Sequence, residues 1–111
     1  MRNNVNENNR IDAFTNVEYR RYQGSTVEKM LDPFTIYVDK SGNGYIQIVY
    51  YLCPCGCDKE IAIPTCMGEK TTEHWLVSVD NNTVTLHPSI HMVPGTCQSH
   101  YFIKNNKIQW V

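Results

Sequence analysis

A chain of 111 residues, 41% hydrophobic and 19% charged, has the composition of one folded domain and is too apolar for a disordered tail. Its formal net charge of −1 lacks the basic footprint of a nucleic-acid binder, and no apolar run reaches the roughly 20 residues of a membrane-spanning helix. The polar N-terminus shows no secretory leader, so a cytoplasmic setting with reduced thiols and neither nucleic acid nor membrane as partner is expected.

Residues 1–14 are rich in Asn and lack periodicity, which predicts a flexible N-terminal segment, loosest over its first nine residues, ahead of a single domain over 15–111. Ile11 and Phe14 are its first apolar anchors. A strand is expected to begin at Val17. The only helix-like signal follows over residues 23–31, where Ser25 or Thr26 would cap one or two turns that Asp32-Pro33 ends.

Phe34, Ile36 and Val38 alternate on one face of a strand. A turn at 39–44 returns the chain as a second strand, Tyr45 to Leu52, with Ile46, Ile48, Tyr50 and Leu52 on one side. Residues 59–63 form the next strand. A loop over 65–72 carries Cys66 and Gly68. Trp75, Val77 and Val79 then alternate, Asp80-Asn81-Asn82 turns the chain, and residues 83–86 lead to Pro88. After the Pro94-Gly95 turn, Tyr101-Phe102-Ile103 and Ile108-Gln109-Trp110 make a hairpin about Lys104–Lys107. Seven or so short strands with at most one short helix predict an all-β fold, a small antiparallel β-barrel or sandwich. Trp75 and Trp110 are the expected core anchors, while Tyr45, Tyr51 and Tyr101 are expected on the opposite faces as a contact surface.

Chemistry concentrates at two places. Cys53-Pro54-Cys55-Gly56-Cys57 puts three thiols in five residues at a hairpin tip, too close together for a disulfide framework. Cys97-Gln98-Ser99-His100 supplies a second pair of soft ligands. Together they predict a zinc-knuckle pair gripping Zn²⁺ through Cys97, His100 and two of Cys53, Cys55 and Cys57, with Cys53 and Cys55 preferred. Ser99 is expected to serve the Cys97 sulfur. Iron is the competing occupant: a rubredoxin-like site would take its fourth thiolate from Cys66, whereas the Rieske-like outline lacks the first-loop histidine of a two-iron centre. His74, His87 and His91 read as surface or hydrogen-bonded side chains. Neither Ser89 nor Ser99 has the G-x-S-x-G context of a nucleophile elbow.

The stretches Leu52–Cys57, His74-Trp75, Thr85-Leu86-His87-Pro88-Ser89-Ile90, Cys97–Ile103 and Ile108-Gln109-Trp110 together resemble the small bacterial and phage-associated family catalogued as domain of unknown function 6527. That resemblance implies metal binding by Cys53, Cys55, Cys57, Cys97 and His100, and a gene context of bacterial ubiquitin-like conjugation or phage-related defence. Asp58 and Asn106 stand where members often carry glycine. The expected role is a zinc-binding accessory or interaction domain with a protein partner. The alternatives are a metal-dependent hydrolase of peptide or isopeptide bonds and a Rieske-like or rubredoxin-like redox protein.

Overall fold

The structure, a computed structural model, describes residues 10–23, 31–40, 44–66, 74–91, 97 and 99–111. The loose segment expected over 1–9, the helix-like stretch over 23–31 apart from Gln23 and Leu31, and the Pro94-Gly95 turn lie outside them. The described chain is all-β, with eight strands: β1 Asn16–Tyr19, β2 Thr35–Lys40, β3 Ile46–Leu52, β4 Glu60–Cys66, β5 Trp75–Asp80, β6 Thr83–His91, β7 His100–Lys104 and β8 Lys107–Trp110. They form one sheet in sequence order, β1 to β8, and it stays open.

Two of the seven pairings are parallel, β1 with β2 and β4 with β5. Each joins strands linked by a long connection, because a short turn can only reverse the chain. Among the described residues the β4–β5 join is two residue pairs long, Thr65 with Trp75 and Cys66 with Leu76. It is a seam between two runs of antiparallel strands, β2–β4 and β5–β8.

The two tight hairpins are dictated locally. Asn81 and Asn82 between β5 and β6, and Asn105 and Asn106 between β7 and β8, all have positive φ, from 50° to 69°. Two left-handed residues in a row match the twist of the flanking strands, and Asn tolerates that conformation better than most side chains.

Asn106 does more than turn the chain. It is buried; its Oδ1 accepts the Val84 N–H at 2.7 Å and its Nδ2 donates to the Phe14 carbonyl at 3.2 Å. Its own backbone adds bonds to Val84 and Phe14. Asn106→Ala removes both side-chain bonds and leaves a Cβ in a left-handed backbone, so a loss of roughly 2–4 kcal/mol is expected in urea unfolding. Asn106→Gly keeps the turn and should lose less. An alanine variant as stable as the parent would show that these bonds contribute nothing net.

The core lies between the strand runs: Ile36, Val38, Val49, Val84, Leu86 and Ile103 are at its centre. Phe14 joins it, 2% exposed, with its ring 5.2 Å from that of Tyr51. Residues 10–14 are therefore a strap held against the core. β3 is apolar on both faces, since Val49 and Tyr51 are as buried as Tyr50. On the reverse face Tyr50 stacks on Tyr37 at 5.2 Å and meets Tyr22 edge-on at 5.0 Å, a satellite aromatic cluster.

The aromatic expectations are partly reversed. Tyr51 and Tyr101 are fully buried and pair hydroxyl to hydroxyl at 2.9 Å, because a buried phenol needs a partner for its O–H. Trp75 and Trp110 are half-buried and sit against the core's rim. Of the expected contact residues only Tyr45 is exposed, as is Phe34, which does not continue the buried face of Ile36 and Val38.

Candidate metal centre and an adjoining serine–histidine pair

β3 delivers the chain into the thiol knuckle and β4 carries it away. The Cys53 N–H donates to the Lys59 carbonyl at 2.8 Å, closing the hairpin, and the Gly56 N–H donates to the Cys53 carbonyl at 3.1 Å. Gly56 and Asp58 take φ of 92° and 67°. Asp58 thus holds the left-handed conformation that glycine adopts without strain, and Asp tolerates it. The strap clamps the knuckle from outside, as Ile11 donates its N–H to the Pro54 carbonyl at 2.9 Å.

The Sγ atoms of Cys53, Cys55, Cys57 and Cys97 lie within 4.8 Å of one another. Cys53 is 3.4 Å from Cys55 and 3.6 Å from Cys97. Tetrahedral ligation at a Zn–S distance of about 2.3 Å puts sulfurs roughly 3.8 Å apart, while a disulfide needs about 2.05 Å. Free thiols at these separations suit one cation.

The thiols differ electrostatically. Burial pushes Cys97 up, but hydrogen bonds from the Ser99 hydroxyl and amide, then from Cys53 and Cys55, outweigh it and leave the thiol lowered to about 7. The Ser99 hydroxyl lies 3.3 Å from the Cys97 sulfur. Burial, followed by Cys55 and Cys97, raises Cys57 to about 11. Burial likewise holds Cys53 well above its ordinary value. Cys97 is therefore readier to meet a cation than Cys53 or Cys57, whose protons binding would release.

Four of the five sequence-predicted ligands are thus together, all three knuckle thiols included. His100 is not in the group. Its Nε2 lies 2.9 Å from the Ser89 Oγ, and its ring stacks on that of His91 with centroids 4.5 Å apart and 18° between planes. Cys66, the alternative thiolate, lies at the end of β4 outside the group.

The Ser89–His100 pair is a product of β6 geometry. Leu86 faces Ile103 and Ile90 faces Tyr101 on β7, so two extra residues are accommodated between Leu86 and Ile90. Pro88 sits in this stretch and has no N–H for the ladder. The bulge places Ser89 beside His100, while the Trp75 indole N–H donates to the Ser89 carbonyl at 3.3 Å. Both side chains are half-buried. The arrangement has the spacing of a hydroxyl nucleophile and its base. Sequence reading missed it because Ser89 and His100 stand eleven positions apart on facing strands, without an elbow motif. The run His87-Pro88-Ser89, a proline inside a strand pattern, was the available signal for a bulge.

Among the described residues no helix is long and apolar enough to cross a membrane. No curated protein and no solved structure matches the chain. A family model does, and its description, bacterial ubiquitination-like system serine protease, agrees with the resemblance noted above in its bacterial setting and its tie to ubiquitin-like systems, without confirming the label of domain of unknown function 6527. That match covers residues 23–111, well over half the chain, and the protein belongs to the BubE family.

Proposed function

We propose that this protein is a serine peptidase that cleaves the acyl bond between the C-terminal carboxyl of a ubiquitin-like protein and an amine. Ser89 is the nucleophile and His100 the base. The observation that carries this reading is the 2.9 Å approach of the Ser89 Oγ to the His100 Nε2, in a chain whose family is described as a serine protease of a ubiquitination-like system. As Ser89 Oγ bonds to the carbonyl carbon, its proton passes to His100 Nε2 and the carbonyl π pair moves to oxygen. Collapse of that adduct breaks the C–N bond, and His100 returns the proton to the leaving amine. Water then attacks the acyl-serine, with His100 again taking and giving one proton, and frees the carboxylate and Ser89. No carboxylate hydrogen-bonds to His100 among the described residues; the stacked His91 ring supports its orientation.

The metal centre is structural in this reading. Cys53, Cys55, Cys57 and Cys97 would hold Zn²⁺ in a closed tetrahedral set, and the ion would supply folding free energy and no reactive position. A Rieske centre needs two imidazoles, whereas this group is four thiols. Reduced thiols suit the cytoplasm, and the ubiquitin-like substrate is the expected protein partner.

A fluorophosphonate probe tests the assignment directly. Attack by Ser89 would form a phosphorus–oxygen bond and expel fluoride, and mass spectrometry should place the adduct on Ser89. A non-catalytic zinc module, the competing reading, predicts an inert serine. Absence of the adduct on folded protein would favour that reading.

A further inference from the structure

β4 has two edges with different fates. Along one, residues from Glu60 to Pro64 pair with β3. Along the other, among the described residues, β4 meets β5 at Thr65 and Cys66. β6 is similarly divided: β5 accompanies it from Thr83 to His87, and past that point, among the described residues, β7 pairs with Ile90 and His91. Two strand edges therefore face each other ahead of Trp75, where β5 has not yet begun. Between them is a cavity of about 300 Å³ lined by residues 59–64, Trp75, Ile90 and His91.

Backbone alternation fixes what the β4 edge offers. The Cys53 N–H donates to the Lys59 carbonyl, so that pair is of the hydrogen-bonded kind, and so are the pairs two and four residues further on. Ile61 and Ile63 are spent on β3 in this way. Ala62, lying between them opposite Tyr50, turns its N–H and C=O outward into the lane. Pro64 has the same phase but carries only a carbonyl. An exposed strand edge with donor and acceptor groups is a template for another chain. The lane's walls are largely apolar, with Lys59 and Glu60 at one end and His91 on the other bank, and Trp75 in its wall donates its indole N–H to the carbonyl of Ser89, the residue next to Ile90.

We infer that the lane between β4 and β6 binds an extended polypeptide as an added strand, carrying the residues next to the cleaved bond past Ser89. This rests on the peptidase reading and names its substrate form: a stretch of about four unfolded residues, at roughly 3.3 Å each, held by backbone bonds to Ala62, with an apolar side chain against Trp75 and Ile90. A tightly folded loop does not fit, since strand addition requires a straight backbone.

The test uses the unaltered protein and fluorogenic hexapeptides with an apolar residue two positions before a coumarin amide. Each of the four residues before the cleaved bond is N-methylated in turn. Strand addition engages alternate amides, so kcat/KM should fall about tenfold or more at every second position and change little at the others. Ala62→Pro should lower kcat/KM for the parent peptide and flatten that pattern. A flat or monotonic methylation profile overturns the inference. So does failure to cleave any hexapeptide by protein whose Ser89 still takes the fluorophosphonate, and in both cases the peptidase reading stands. If Ser89 is not labelled at all, both fall together.

Discussion

Ser89→Ala is expected to lower kcat on a ubiquitin-like protein joined through its C-terminus to a reporter amine by about 10³-fold or more, as loss of a serine nucleophile does elsewhere. Stability should barely move. Ser89 is half-buried and its side chain has the single described bond to His100, so its removal falls among substitutions costing within about 1 kcal/mol. A near-normal melting temperature with absent turnover separates a chemical role from a structural one. His100→Ala should lose a comparable amount, and the double variant little more than either, because the two groups act as one unit. An alanine protein that retained a tenth of the parental kcat would place the nucleophile elsewhere.

Cys97→Ala carries the largest expected effect on stability, a loss of roughly 3 kcal/mol or more together with the bound metal. Cys97 and Cys53 are 44 positions apart in sequence, and a cation joining them closes a long loop that the unfolded chain would otherwise explore freely. Hydrogen bonds from Ser99 also hold the Cys97 sulfur more acidic than those of Cys53 and Cys57, so its removal takes a ligand poised to bind. Purified parent protein should contain one zinc per chain and be colourless, and a chelator should reproduce the Cys97→Ala loss in urea unfolding. Stoichiometric iron with visible absorption would overturn the zinc assignment. His100→Ala decides the ligand set, since its metal content should equal the parent's. Metal lost from that variant would return the imidazole to the cation and remove it from Ser89.

Local rules carried much of the fold. Alternation over 36–38 and 46–52, and the Asn pairs at 81–82 and 105–106, gave strands and turns that the structure contains. The thiol cluster was legible because three cysteines in five residues have few other uses. What stayed hidden depends on contacts between distant segments. The parallel pairing of β1 with β2 leaves no mark in a four-residue strand. Tyr51 and Tyr101 read as surface residues because alternation sets them on the faces opposite the expected core anchors, yet they find each other's hydroxyl fifty positions away. Asn106 read as a turn residue, and its burial against Phe14 is set by the strap. His100 looked like a ligand from its spacing to Cys97. That spacing serves equally well to aim an imidazole along β7 toward a bulge on β6.

The brevity of the β4–β5 seam divides responsibilities within the molecule. Hydroxyl and imidazole both come from neighbouring strands of the C-terminal half, so their alignment survives as long as that half holds its own pairing. The lane has one bank in each half, and its width answers to whatever keeps the halves abreast, from the knuckle sulfurs to the phenol pair. If Ser89 is the proposed nucleophile, a molecule loosened along that line would retain its reactive oxygen while losing its grip on what to cut.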